Sequence, residues 1–300
     1  MPTLIVITGP TGAGKTDLAI ALARRLGCHI LSADSRQIYQ GLPICTAQPT
    51  PEQRASAPHH FVDILPLTAY YSAAQYETDA LQLLSELFGS GQEYAIACGG
   101  SMMYIDALTR GIDDLPTISP EIREQAYGIY YSGGLPAIQA ELKRLDPAYY
   151  STVDLNNHKR IIHAIEITLQ AGRPFSRLRT GAEKPRPFRI LKFALDMPRT
   201  ELFDRINRRV DAMVTAGLEE EVMAHADMRH LNSLNTVGCK EIFAITDGKM
   251  DRNTAIERIK KNTRVYAKKQ LTWLRRDPSV IWLSPDTAFY EILSHLPDKE

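Results

Sequence analysis

Residues Gly9-Pro10-Thr11-Gly12-Ala13-Gly14-Lys15-Thr16 form a G-x-x-x-x-G-K-T run, preceded by the apolar segment Leu4 to Ile7 and followed by Leu18 to Ala23. The order is strand, loop, helix, and it commits the chain to an α/β sheet whose first strand feeds a helix N-terminus. An anion suits that terminus because free backbone N–H groups and the helix dipole face it, and glycine lets the backbone approach closely. Lys15 is expected to reach the terminal pair of phosphates, and Thr16 to set its hydroxyl on a magnesium ion. The loop grips two adjacent phosphates and is blind to what hangs from them. A nucleoside triphosphate and a diphosphate ester therefore both remain open.

With 300 residues, 44% hydrophobic and 23% charged, the chain can bury the core of one large or two modest globular domains. The N-terminal apolar run ends in the phosphate loop and is too short for a signal peptide or a membrane span, so a cytoplasmic protein is expected. Cys28, Cys45, Cys98 and Cys239 are widely spaced with no C-x-x-C pair, which points to neither a zinc site nor a disulfide framework. Lys and Arg number 35, as do Asp and Glu, but the balance is uneven along the chain. Residues 1–150 hold 9 basic against 15 acidic side chains, and residues 151–300 hold 26 against 20. Between Arg258 and Arg276 the basic residues Arg258, Lys260, Lys261, Arg264, Lys268, Lys269, Arg275 and Arg276 meet no acidic one. A helix that cannot neutralise itself through i,i+4 pairs suits the phosphate backbone of a nucleic acid.

Along the chain, His29 to Ala33 reads as a second strand that ends at Asp34, beyond whose carboxyl end a ligand would collect. Asp34 is thus the candidate for chemistry, with a plain turn-capping role as the alternative. Leu42 to Pro66 reads as a long proline-rich loop, and its His59-His60 pair lacks partners at metal-ligand spacing. A helix from Ser72 to Phe88 and a buried strand from Tyr94 to Ala97 restore the βα rhythm. That rhythm stops at Gly111 to Pro120, after which Glu121–Tyr131, Leu135–Leu145 and Asn157–Gln170 are all helical in pattern. Strand character returns at Arg189–Leu195, followed by helices at Glu201–Thr215, Leu218–Met228 and Asp251–Arg276 and a last strand at Val280–Leu283. The expected organisation is a catalytic core of residues 1–112 and 187–300 with a helical insertion at 113–186.

Five stretches taken together are similar to the bacterial tRNA dimethylallyltransferases, also called tRNA isopentenyltransferases. They are Gly9–Thr16, Ser32–Tyr39, Gly99–Tyr104, Thr236–Glu241 and Ala267–Arg275, in order over nearly the whole chain. The resemblance implies a P-loop NTPase/kinase-like parallel core with a helical insertion that grips the tRNA anticodon arm. It also implies Mg²⁺-dependent transfer of a dimethylallyl group from dimethylallyl diphosphate to N6 of adenosine 37, directly 3′ of the anticodon, without ATP, by a monomer. On this resemblance Gly9, Pro10, Thr11, Gly12, Ala13, Gly14, Lys15 and Thr16 hold the diphosphate, Thr16 carries the magnesium, Arg209 lies on the diphosphate and Asp34 is the general base. Asp34, Ser35, Arg36, Gln37, Ser101, Arg123, Lys159, Arg160 and Lys240 fall at tRNA-contacting positions. Four residues depart from the family pattern: Cys45 replaces a usual Gly, Gln48 a Lys, His163 an Arg and Cys239 a Tyr. An adenylate dimethylallyltransferase, a small-molecule or nucleoside kinase, and a non-catalytic RNA-binding protein are the competing readings. Each makes poor use of an intact phosphate loop combined with an acid-free basic helix.

Overall fold

The computed structural model describes residues 1–297. The described residues form six parallel strands: β1 (Thr3–Thr8), β2 (His29–Ser32), β3 (His59–His60), β4 (Tyr94–Cys98), β5 (Arg189–Leu195) and β6 (Val280–Leu283). Their spatial order is β3-β2-β4-β1-β5-β6, with β1 central and buried along its length. Successive side chains of β1 point to opposite faces. Leu4 and Val6 pack with Leu31, Leu84 and Leu108 on one face, whereas Ile5 and Ile7 pack with Leu22, Ile30, Phe193 and Ile292 on the other. Helices cover both faces, which is why the inner strands read as continuous apolar runs rather than as alternation.

From β1 the chain crosses to β2, β4 fills the gap between them, and β5 and β6 are added on the far side of β1. The strand order reverses there, and the crevice beyond the carboxyl ends of β1, β2 and β4 is where such sheets take ligands.

The proline-rich loop holds more structure than its composition suggests. The helix Pro51–Ser56 is closed by a capping box in which Thr50 and Gln53 bond reciprocally. The two histidines then form β3, pairing with Ile30 and Leu31. Two polar residues at a sheet edge carry no periodicity, so this strand is invisible to pattern. The expected helix over Leu218–Met228 is an α-helix only to Met223, with a 3₁₀ turn at Ala226–Met228.

The chain separates into two compact units, one of Met1–Thr109 with the chain from Arg186 onward, the other Arg110–Pro185. The second unit has its own core. Ala126, Ile138 and Leu142 from the Pro120–Leu145 segment meet Ile161, Ile162 and Ile165 from the helix His158–Ala171. Gly134, at φ 64° and ψ −156°, breaks the first segment into two helices. Asp146 is 1% exposed and satisfied: it accepts from Tyr149 N–H, Ser176 N–H and the Ser176 hydroxyl. No helix among the described residues is long and apolar enough to cross a membrane.

Candidate active site

The phosphate loop leaves β1 and turns into the helix Lys15–Leu26 at Gly14, whose φ of 92° only glycine adopts without strain. Gly9 runs so close to β5 that an added Cβ would stand 3.0 Å from the Leu195 carbonyl oxygen. These two positions bring the loop backbone and the first N–H groups of the helix to the edge of a cavity of about 790 Å³.

Lys15, Thr16, Asp34, Arg205, Arg208 and Arg209 all line this cavity. Lys15 is parked on its own loop, donating to the carbonyls of Gly9 (3.1 Å) and Pro10 (2.8 Å). Burial, together with the nearby Arg209 cation, lowers its pKa to about 8, while Cys98 and Asp34 pull the other way. Arg209 donates to the Thr11 hydroxyl at 3.3 Å, and burial lowers its pKa against the opposing pull of Asp34. Four cations, Lys15, Arg205, Arg208 and Arg209, thus share the cavity wall with Asp17, Asp34 and Glu201, and Glu201 pairs with Arg205 at 3.9 Å.

Asp34 sits one residue beyond Ala33 at the end of β2. Its Oδ1 accepts from the N–H of Arg36 (2.9 Å) and of Gln37 (3.4 Å), so it does cap its own turn. It also lines a second cavity of about 380 Å³ with Ser35, Arg36, Lys240 and the Asn235–Gly238 turn. Thr11, Thr46, Arg209 and Tyr266 share both cavities with it. The carboxylate thus stands where the cavity beside the G-x-x-x-x-G-K-T loop adjoins a second cavity.

The surrounding groups are held by specific bonds. Ser101 accepts from Ser35 N–H at 2.8 Å and its hydroxyl meets that of Ser35 at 3.1 Å. Arg36 reaches the carbonyls of Asn232 and Ser233. Gln37 gives its amide to the carbonyls of Thr46 and Ala47, and accepts from the Ser32 hydroxyl. Gln48, buried, donates to the carbonyls of Gln37 (3.0 Å) and Tyr39 (2.8 Å), a pair that a neutral amide satisfies without burying a charge.

Residues 37–277 match the model of the IPP transferase family. The chain belongs to the IPP transferase family. It is 51% identical over 296 residues to tRNA dimethylallyltransferase 2 of Parabacteroides distasonis, covering 99% of this chain and 98% of that one. It is 54% identical over 284 residues to tRNA dimethylallyltransferase 1 of Porphyromonas gingivalis, covering 95% and 94%. Its fold matches the full-length tRNA isopentenylpyrophosphate transferase of Bacillus halodurans with a TM-score of 0.72 at 32% identity, over 98% of this chain and 95% of that one. It also matches a eukaryotic dimethylallyltransferase acting on tRNA with a TM-score of 0.80 over 100% and 81% of the two chains; at 23% identity that is a likeness of fold.

In this IPP transferase the sequence candidates fall into two groups. Residues 9–16, Asp34, Ser35, Arg36, Gln37, Ser101, Arg209 and Lys240 lie in the first unit around the two cavities or in contact with their lining. Arg123, Lys159 and Arg160 lie in the second unit, all exposed. Arg123 reaches Glu166 at 3.5 Å.

Three features escape the sequence reading. Arg205 and Arg208 accompany Arg209 in the first cavity, and their i, i+3, i+4 spacing on the helix Arg199–Thr215 is the signal that could have found them. Tyr266 lines both cavities, where burial and Asp34 push its pKa up to about 12. Gln270 is 2% exposed and accepts from Thr11 N–H (2.9 Å) while donating to the Gly100 carbonyl (2.9 Å). It ties the phosphate loop to the turn after β4 from 259 residues away, and no local pattern encodes such a link.

Proposed function

We propose that this chain transfers the dimethylallyl group of dimethylallyl diphosphate to N6 of the adenosine directly 3′ of the anticodon in tRNA. The observation that carries the reading is the position of Asp34, at the junction between a cavity lined by the phosphate loop and three arginines and a cavity lined by Lys240 and the Asn235–Gly238 turn.

An exocyclic adenine amine is a poor nucleophile because its lone pair is delocalised into the ring, so it reacts as its proton leaves. The nitrogen attacks the allylic carbon, the carbon–oxygen bond to the diphosphate breaks, and the nitrogen's proton passes to the Asp34 carboxylate. A positioned base of this kind is worth about 10² to 10⁴ in rate. Lys15, Arg209 and the loop N–H groups meet the charge that develops on the leaving diphosphate. An adenine stacked in the anticodon loop reaches Asp34 by leaving its stack, the usual route by which enzymes bring a base into a pocket.

Magnesium fits the first cavity. Thr16 lines it, and no cluster of three acidic, histidine or cysteine side chains that could hold a metal occurs among the described residues. The ion would therefore take the Thr16 hydroxyl, phosphate oxygens and water, the usual company of Mg²⁺ at a phosphate site. When bound it supplies charge neutralisation to the diphosphate.

The test is incubation with dimethylallyl diphosphate and Mg²⁺ and, in separate reactions, unmodified tRNA, AMP or tRNA with ATP. Prenylated tRNA formed without ATP is the expected product. Prenylated AMP alone, or stoichiometric ADP release, would overturn the reading.

A further inference from the structure

Behind the wall of the second cavity, which Cys45 lines, the thiols of Cys45 and Cys239 face each other with their sulfur atoms 3.3 Å apart. Each is held by its own scaffold. Cys45 lies in a loop pinned by Glu221, whose two carboxylate oxygens accept from the N–H groups of Ile44 and Cys45 at 2.7 Å each. Cys239 opens the helix Cys239–Thr246, where Glu241 accepts from Gly238 N–H (2.9 Å) and from the Asn262 side-chain amide (2.7 Å).

We propose that Cys45 and Cys239 form a reversible intramolecular disulfide under small-molecule disulfide oxidants, fastening the Leu42–Gln48 loop to the Asn235–Gly238 turn across the second cavity. The thiol of Cys45 is half-buried and lines the cavity, whereas Cys239 is enclosed. Cys45 therefore attacks the oxidant, one thiol departs with the Cys45 proton, and Cys239 then attacks the Cys45 sulfur. The second thiol departs with the Cys239 proton, so one oxidant disulfide becomes two thiols and the two cysteines become one disulfide. The hydrogen bond with Cys239 and burial hold the Cys45 thiol well above its ordinary pKa, so the first step quickens as pH rises. The bond itself is independent of the reading of the site; its effect on transfer rests on that reading.

The full chain is treated with glutathione disulfide, alkylated, digested and analysed by mass spectrometry. The expected result is a loss of two hydrogens and a cross-linked peptide pair containing Cys45 and Cys239, with Cys28 and Cys98 alkylated after denaturation. Amide exchange should slow over residues 42–48 and 235–242. Transfer to tRNA should fall about 10- to 100-fold, the scale of a misplaced reacting group, and dithiothreitol should restore it. Cys45→Ser and Cys239→Ala, each compared with its own untreated rate, should lose the response. Glutathione adducts without a cross-link would overturn the proposal, as would a cross-link that leaves amide exchange and transfer unchanged. If the reduced protein modifies no tRNA, the functional reading fails, and the cross-link and exchange measurements still decide the fate of the thiol pair.

Discussion

Asp34 shows that two readings of one residue need not compete. Its Oδ1 caps the turn that follows β2, and the same carboxylate lines both cavities. Asp34→Asn keeps an oxygen for the cap and removes the base, so it should leave dimethylallyl diphosphate binding intact while lowering the single-turnover rate about 10²-fold or more. A rate within a few-fold of the parent would remove Asp34 from the base role. Lys15 yields a prediction in pH. Burial lowers its pKa to about 8 in the free site, and a bound diphosphate favours the ammonium form. Binding therefore takes up a proton once the pH exceeds about 8, and donor affinity should weaken from there upward. A titration of diphosphate affinity from neutral to alkaline pH should show that bend, and Lys15→Arg, which stays charged, should not. At this scale the phosphate loop and the strand-end carboxylate are legible because short-range order encodes them. Gln270 and the Cys45–Cys239 pair are not, since each depends on a partner that only the fold brings near.

The helix Arg252–Leu274 shows the same limit for a whole element. Its acid-free run is plain in the sequence, but neutralisation comes from other elements as well as from its own neighbours. Lys260 meets Asp211 of the helix Arg199–Thr215 at 2.7 Å and Glu257 at 3.0 Å. Arg264 hydrogen-bonds Asn207, and Lys268 lies over the Phe203 ring at 5.5 Å from its centroid. The basic face is therefore narrower than counting suggests, with Arg258, Lys261, Lys268, Lys269, Arg275 and Arg276 exposed. If these contact an RNA backbone, Lys268→Ala and Lys269→Ala should each flatten the slope of log affinity against log salt by about 0.7 to 0.9. Lys260→Ala should leave that slope alone and cost about 0.2 to 1 kcal/mol of stability in urea denaturation. Equal slopes for all three variants would deny the helix a part in binding. The strands divide similarly: β1, β4, β5 and β6 announce themselves as apolar runs, and β3 is defined only by its pairing with β2.

For the whole molecule, the division into two units leads to a proposal about how substrate handling is shared. The unit Arg110–Pro185 has a separate core, and its two ends meet: Lys184 N–H donates to the Arg110 carbonyl at 2.7 Å. Arg186, where the chain re-enters the first unit, bonds Glu77 (2.7 Å) and the carbonyls of Ala107 and Leu108 of that same unit. A short Gly/Ser linker in place of residues 113–183 thus spans only a hydrogen-bonded gap, and it removes no residue that lines either cavity. The shortened chain should fold cooperatively and bind dimethylallyl diphosphate with affinity close to the parent's. Its affinity for unmodified tRNA should collapse, because Arg123, Lys159 and Arg160 leave with the unit, and what remains should be the weak, sequence-blind and salt-sensitive binding of the exposed basic helix. Donor binding and tRNA binding measured on the same preparation separate the possibilities. Loss of both would mean the core needs the second unit to fold, and parent-like tRNA affinity at every salt concentration would mean the second unit takes no part in gripping tRNA.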